Sequence, residues 1–207
     1  MRLPYAPSAP PEGSPESADI YARIAARRTP RPLIPLDLTL LHAPPVADGY
    51  NSFVGALRTQ TIISPGLLEL AICRVAILNQ AVYEWNIHAP LALKAAVSPE
   101  ALEECFSLPV SAGENRTHVG NRAWVGSRLN AVQRAVLLYT DQMTKTVAVE
   151  DEAFVLLAQA GLSDREIVEL TATIAGYNCV SRILVSLDVG ENNGRRMKRV
   201  EELVAEI

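Results

Sequence analysis

The chain is expected to be all-α: one helical bundle preceded by a proline-rich N-terminal arm. Three observations support this. No segment of the 207 residues alternates apolar and polar positions with period two. Several segments repeat apolar residues at i, i+3 and i+4, as the buried stripe of a helix does. Helix-start signals stand before those segments: Ser64-Pro65, Ser98-Pro99, and the capping-box pattern from Ser163 to Glu166.

The elements follow in order. "MRLPYAPSAPPEGSPES" reads as an extended arm and has no apolar core of a secretory signal. "SPESADIYARIAARR" is a first helix, with Ile20 and Ile24 on one face and arginines near its C-terminal end. Five prolines between 30 and 45 leave room for one short helix over 36–42. Residues 51–61 are helical again. The segment "GLLELAICRVAILNQ" is apolar nearly all round, so it is expected to be buried on most faces. A second core helix runs from about residue 81 to 95, and a short third ends near 106. Residues 107–128 form an insertion without a period, carrying His118 and Trp124 as surface-loop residues. "NAVQRAVLLYTDQMTK" and "VEDEAFVLLAQAGL" are amphipathic helices, and "EIVELTATIAGYNCVSRILVSL" is a long apolar one. A polar helix over 195–206 closes the chain. The division is an arm with first helix over 1–34 and a helical domain over 35–207.

Composition narrows the function. With 49% hydrophobic and 20% charged residues the chain is not disordered. A net charge of −4, from 19 basic and 23 acidic residues, does not suit a nucleic-acid partner. No apolar run reaches the roughly eighteen residues of a membrane span, so a cytoplasmic protein is expected. Cys73, Cys105 and Cys179 fit neither a disulfide framework nor a zinc pattern, and no metal is expected. The apolar surface of the helices and the arm suit a homo-oligomer.

The chemistry concentrates in "AVYEWNIHAP", which holds one of only three histidines. Glu84 and His88 stand at i, i+4 on one helix face and can hydrogen-bond or share a proton. Glu69 is a lone acid among Leu67, Leu68 and Leu70, a costly place for an unpaired carboxylate. If the two core helices pack antiparallel about residues 79–80, Glu69 and His88 lie about equally far from the turn and meet. These three are the candidate catalytic residues. Arg74 and Arg182, each in an apolar helix, are candidate anion holders, and Tyr83 and Trp85 are candidate substrate contacts as well as packing residues.

The stretch "LLELAICRVAILNQAVYEWNIHAPLALKAAVS" resembles the core helix pair of the carboxymuconolactone decarboxylase and alkylhydroperoxidase-like (AhpD-like) superfamily. In the hydroperoxidase branch the pattern is a Glu, eleven residues, then Cys-x-x-Cys-x-x-x-His. Glu69 takes the Glu place and His88 the His place, while Ala81 and Glu84 stand where the cysteines would be. "LSDREIVELTATIAGYNCVSRILVSLDV" is similar to the second conserved helix, with Tyr177-Asn178 and Arg182 at the usual places. The resemblance implies an AhpD-like helical bundle assembled as a dimer, trimer or hexamer. In the decarboxylase branch it implies a cofactor-independent lyase acting on a small oxygenated ring compound that bears a carboxylate. A peroxidase needs an attacking thiolate and a resolving thiol, and neither position has sulfur. The alternative from a different class is a non-catalytic scaffold or ligand-binding protein whose polar trio satisfies itself.

Overall fold

The computed structural model describes residues 1–13, 15–109 and 126–207. Most of the 107–128 insertion, with His118 and Trp124, lies outside the described residues. Among the described residues there are ten α-helices and no strand: α1 Pro15–Arg28, α2 Pro35–Leu40, α3 Pro44–Thr59, α4 Pro65–Leu78, α5 Val82–Lys94, α6 Pro99–Ser107, α7 Ala131–Lys145, α8 Asp151–Gln159, α9 Asp164–Leu187 and α10 Val200–Ala205.

Two of the three hydroxyl start signals act as the sequence suggests, whereas Ser64 stands at the N-cap of α4 without a side-chain hydrogen bond. The Ser98 hydroxyl accepts from the Ala101 amide at 3.1 Å, and Ser163 and Glu166 close a reciprocal capping box. Prolines open α2, α3, α4 and α6, where a missing N–H costs nothing. That tolerance explains one difference. The expectation for α3 begins at 51, but the helix begins at Pro44, because Pro44 and Pro45 occupy a first turn that has no intrahelical bond to lose. The last helix differs the other way, with α10 confined to Val200–Ala205. The chain before it is tied to α5 instead. Lys198 N donates to Asn86 Oδ1 at 2.9 Å and Lys198 O accepts from Trp85 Nε1 at 2.9 Å.

Helix α4 is the central post and touches α5, α6, α7 and α9. Its Leu68, Ala71, Ile72 and Val75 pack with α7 and α9, while Leu70, Cys73 and Ala76 pack with α5, α6 and α10. An all-round apolar surface has a partner on every side, as its sequence requires. The α4–α5 pair is antiparallel and close: a Cβ on Gly66 would stand 2.8 Å from the Ala95 carbonyl oxygen. Helix α9 is the one described helix long and apolar enough to cross a membrane, and it packs against α3, α4, α5, α7 and α8. The arm lies along its own chain. Arg2 N donates to Leu187 O at 2.8 Å, Ala6 N to Leu38 O at 3.1 Å, and Tyr21 Oη to Pro7 O at 3.1 Å. Helix α1 then packs on α3, which brings its C-terminal arginines toward α5.

Candidate active site

The antiparallel pair brings Glu69 and His88 together. His88 Nδ1 donates to Glu69 Oε2 at 2.8 Å, and the other oxygen accepts from the Arg58 guanidinium of α3. Burial pushes the Glu69 carboxyl up, but the His88 hydrogen bond and the charges of His88 and Arg58 outweigh it and hold the group below its ordinary value. Glu69 is therefore an ionised anchor, and with Nδ1 engaged the imidazole keeps Nε2 for a ligand. The ring meets Tyr177 edge-on, with centroids 4.9 Å apart.

Glu84 behaves differently from the sequence expectation. It shares the His88 face, yet makes no bond to it. Both carboxyl oxygens are buried without a hydrogen-bond partner, and burial raises the pKa well above the ordinary glutamate value. Ionising it there has no compensating charge, so the group is held as a neutral carboxylic acid.

Glu84 and His88 both line a cavity of about 220 Å³. Tyr50, Tyr83 and Tyr177 contribute phenol rings, and Leu36, Ile87 and Val180 contribute apolar wall. Burial lifts the Tyr83 phenol to about 12, so it is a hydrogen-bond donor rather than an anion. Its ring rests on Gly190, where a Cβ would stand 2.6 Å from it. Four arginines complete the lining: Arg27, Arg28, Arg31 and Arg58. Arg28 is matched by a two-bond pair to Asp37 at 2.8 and 2.7 Å, and Arg58 by Glu69. Among the described residues Arg27 makes no ion pair; its Nε is buried without an acceptor, and burial together with the charge of Arg28 lowers its pKa against the opposing charge of Asp37. Such a cavity can hold a small anion beside a neutral acid and an imidazole.

Several expected site residues are elsewhere. Arg74 is fully buried but spent: Nε and Nη2 bond to Asp141 at 2.5 and 2.8 Å, and the remaining donors serve the carbonyls of Cys105, Leu108 and Pro109. It fastens α4 to α7 and the end of α6 rather than holding a ligand. Trp85 points to the opposite side of α5, stacked near Phe106 with its indole N–H on Lys198 O. Arg182 is exposed and caps Asn178 on its own helix at 2.7 Å. Glu69 reaches the cavity through His88 and Arg58, and itself borders a separate cleft of about 190 Å³ beside the α3–α4 connection. Tyr83 is the one expected substrate contact that lines the cavity. The sequence reading did not find the arginines of α1 and α3; the run "AARRTPRP" was their signal, taken as charges at a helix end.

Thiol chemistry is poorly served here. Cys73, one turn after Glu69, is fully buried, and burial raises its pKa well above the ordinary thiol value. A larger groove of about 610 Å³ between α6 and α10 is lined mainly by glutamates and valines, with Pro99 and Ser107, and has no imidazole or thiol in its lining.

Residues 44–117 match the Carboxymuconolactone decarboxylase family, a stretch that contains Arg58, Glu69, Glu84 and His88. The match covers about a third of the chain, and the fold likeness to solved structures extends over nearly all of it. The backbone of the chain is similar to an alkylhydroperoxidase AhpD-core, peroxidase-related protein from Ralstonia eutropha JMP134, with TM-score 0.68 at 18% identity over 98% of this chain and 93% of that one. A peroxidase-related protein from Silicibacter sp. TM1040 gives TM-score 0.68 at 16% identity over 94% and 95%. The debrominase Bmp8, solved with 2,3,4-tribromopyrrole, gives 0.60 at 17% identity over 96% of both chains. No curated protein sequence matches. In this AhpD-like fold Arg27, Arg28, Arg31 and Tyr177 come from outside the matched stretch, although they share its cavity.

Proposed function

We propose that this AhpD-like protein is a cofactor-independent acid–base enzyme of carboxymuconolactone decarboxylase type, a lyase for a small, unsaturated, carboxylate-bearing ring compound. The observation that carries this reading is the cavity itself. One small hollow unites an imidazole fixed by a carboxylate, a buried neutral acid and four arginines, of which Arg27 makes no ion pair among the described residues. In the reaction the bond from ring carbon to the departing carboxylate breaks and carbon dioxide leaves. The electron pair moves into the adjacent unsaturated system and onto an oxygen of the ring compound. His88 Nε2–H then delivers a proton to carbon, while Glu69 stabilises the imidazolium before transfer and holds the ring in place. That the related Bmp8 structure holds a small ring supports a ligand of this size.

The test is turnover of carboxymuconolactone and related small lactone carboxylates, followed by carbon dioxide release. Folded His88→Ala should lose about 10²–10⁴-fold in kcat, the usual contribution of a positioned acid. Turnover unaffected by that change removes His88 as the proton donor. The peroxidase reading requires peroxide-dependent oxidation of a thiol. Against it stand the burial of Cys73 and the absence of sulfur at Ala81 and Glu84.

A further inference from the structure

The four arginines of the cavity are not equivalent. Arg28 and Arg58 each have a carboxylate of their own, Asp37 and Glu69. Arg31 is exposed at the rim, where solvent screens its charge. Arg27 is half-buried, makes no ion pair of its own among the described residues, and leaves Nε buried without an acceptor. Its stem crosses α3 at Gly55, with Cδ 3.8 Å from where a Cβ would stand. Arg27 and Glu84 both line the cavity, together with Tyr50 and Tyr177. A desolvated cation without a partner is a cost to the folded chain, and so is a buried carboxyl with no hydrogen bond. Two such costs facing one hollow are relieved together by one oxyanion: it accepts from the Arg27 fork and from the protonated Glu84.

We propose that Arg27 is the carboxylate anchor and specificity residue of the cavity, with neutral Glu84 as its second donor. This rests on the cavity being the ligand site. The anchored carboxylate is one the ligand keeps, since a carboxylate held by charge-assisted hydrogen bonds loses them on becoming carbon dioxide. The volume, about seven waters' worth, restricts the ligand to a compact ring acid. The anchor discriminates a carboxylate from its neutral amide, because the amide leaves the cation unpaired.

The experiment is calorimetric titration of the whole chain with 2-furoate and with its neutral isostere 2-furamide, alongside thermal unfolding of the ligand-free protein. The wild-type chain should bind furoate at least about tenfold more tightly than furamide. Arg27→Gln should lose roughly ten- to a hundredfold in furoate affinity, the range for a hydrogen bond to a charged group. It should keep its furamide affinity and unfold at the same or a higher temperature, and Arg27→Lys should recover part of the loss. Arg28→Gln, which strips Asp37 of its partner, should instead unfold at a lower temperature. The proposal is overturned if furoate fails to bind the wild-type chain, if Arg27→Gln binds it unchanged, or if that variant loses both ligands together with thermal stability, as a structural arginine would. Binding rather than turnover is read, so the anchor fails separately from the chemistry. A furoate-binding chain whose turnover survives His88→Ala keeps the anchor and loses the lyase.

Discussion

His88 donates its Nδ1–H to Glu69 across the α4–α5 interface at 2.8 Å, although they stand nineteen positions apart in the chain. That contact turns a costly lone acid into a fixed support and chooses which imidazole nitrogen faces the cavity. Glu69→Ala removes the partner of both His88 and Arg58. Breaking a buried pair in this way costs roughly 3–5 kcal/mol, to be read as a fall in the urea midpoint with unchanged slope. A loss under about 1 kcal/mol would show the pair to behave as a surface one. The stability from Glu69 is present above its ordinary pKa and disappears as pH falls through the lowered folded value, so the difference between wild type and variant should shrink in acid.

Glu84 has the opposite sign. Its folded pKa is raised, so the native state retains a proton that the unfolded chain releases above about pH 4.3. Stability from this group is complete below that pH and declines as pH rises toward the folded value. Glu84→Met should stabilise the protein at neutral pH by about 1–3 kcal/mol. The gain should be larger at pH 8 than at pH 5 in parallel urea titrations. A gain that is flat with pH would mean that Glu84 is not held as the neutral acid.

Arg74 is predicted to matter for folding alone. Arg74→Met strips Asp141 of its guanidinium and three carbonyls of their donors, and should cost about 3–5 kcal/mol. Furoate affinity per folded molecule should not change. A ligand-affinity loss without a stability loss would restore Arg74 as an anion contact.

Gly66 sets how near the two core helices come. Gly66→Ala places a methyl 2.8 Å from the Ala95 carbonyl oxygen, a backbone atom that cannot swing aside. A destabilisation of about 1–3 kcal/mol is expected from such overpacking. The His88 ring resonances should move with it in NMR spectra, since Glu69 sits one turn further along α4. Wild-type stability and unmoved resonances would show that the helices have slack.

What could be read in the sequence was whatever repeats locally. The apolar girth of α4, the hydroxyl and proline starts, and the counting outward from residues 79–80 that pairs Glu69 with His88 all depend on neighbours in the chain. The anion-holding side chains could not be found that way. Arg27 and Arg28 reach the cavity because α1 folds over α3, a contact with no periodicity, and at a helix C-terminus arginines have a sufficient local explanation. Arg74 had the converse problem: its partner Asp141 is 67 residues away, so a buried lock and a ligand contact looked alike. The shortness of α10 was hidden for the same reason, because Asn86 and Trp85 claim the backbone at Lys198.

The placement of Arg27, Arg28 and Arg31 on and just after α1, apart from the helix pair bearing Glu69, Glu84 and His88, divides the labour of the cavity between two stretches of chain. On the reading proposed above, the charge that selects the ligand comes mainly from one stretch and the proton donor from the other, with Glu84 of α5 shared between them. Changes on α1 would then retune ligand preference while His88 and Glu69 keep their places.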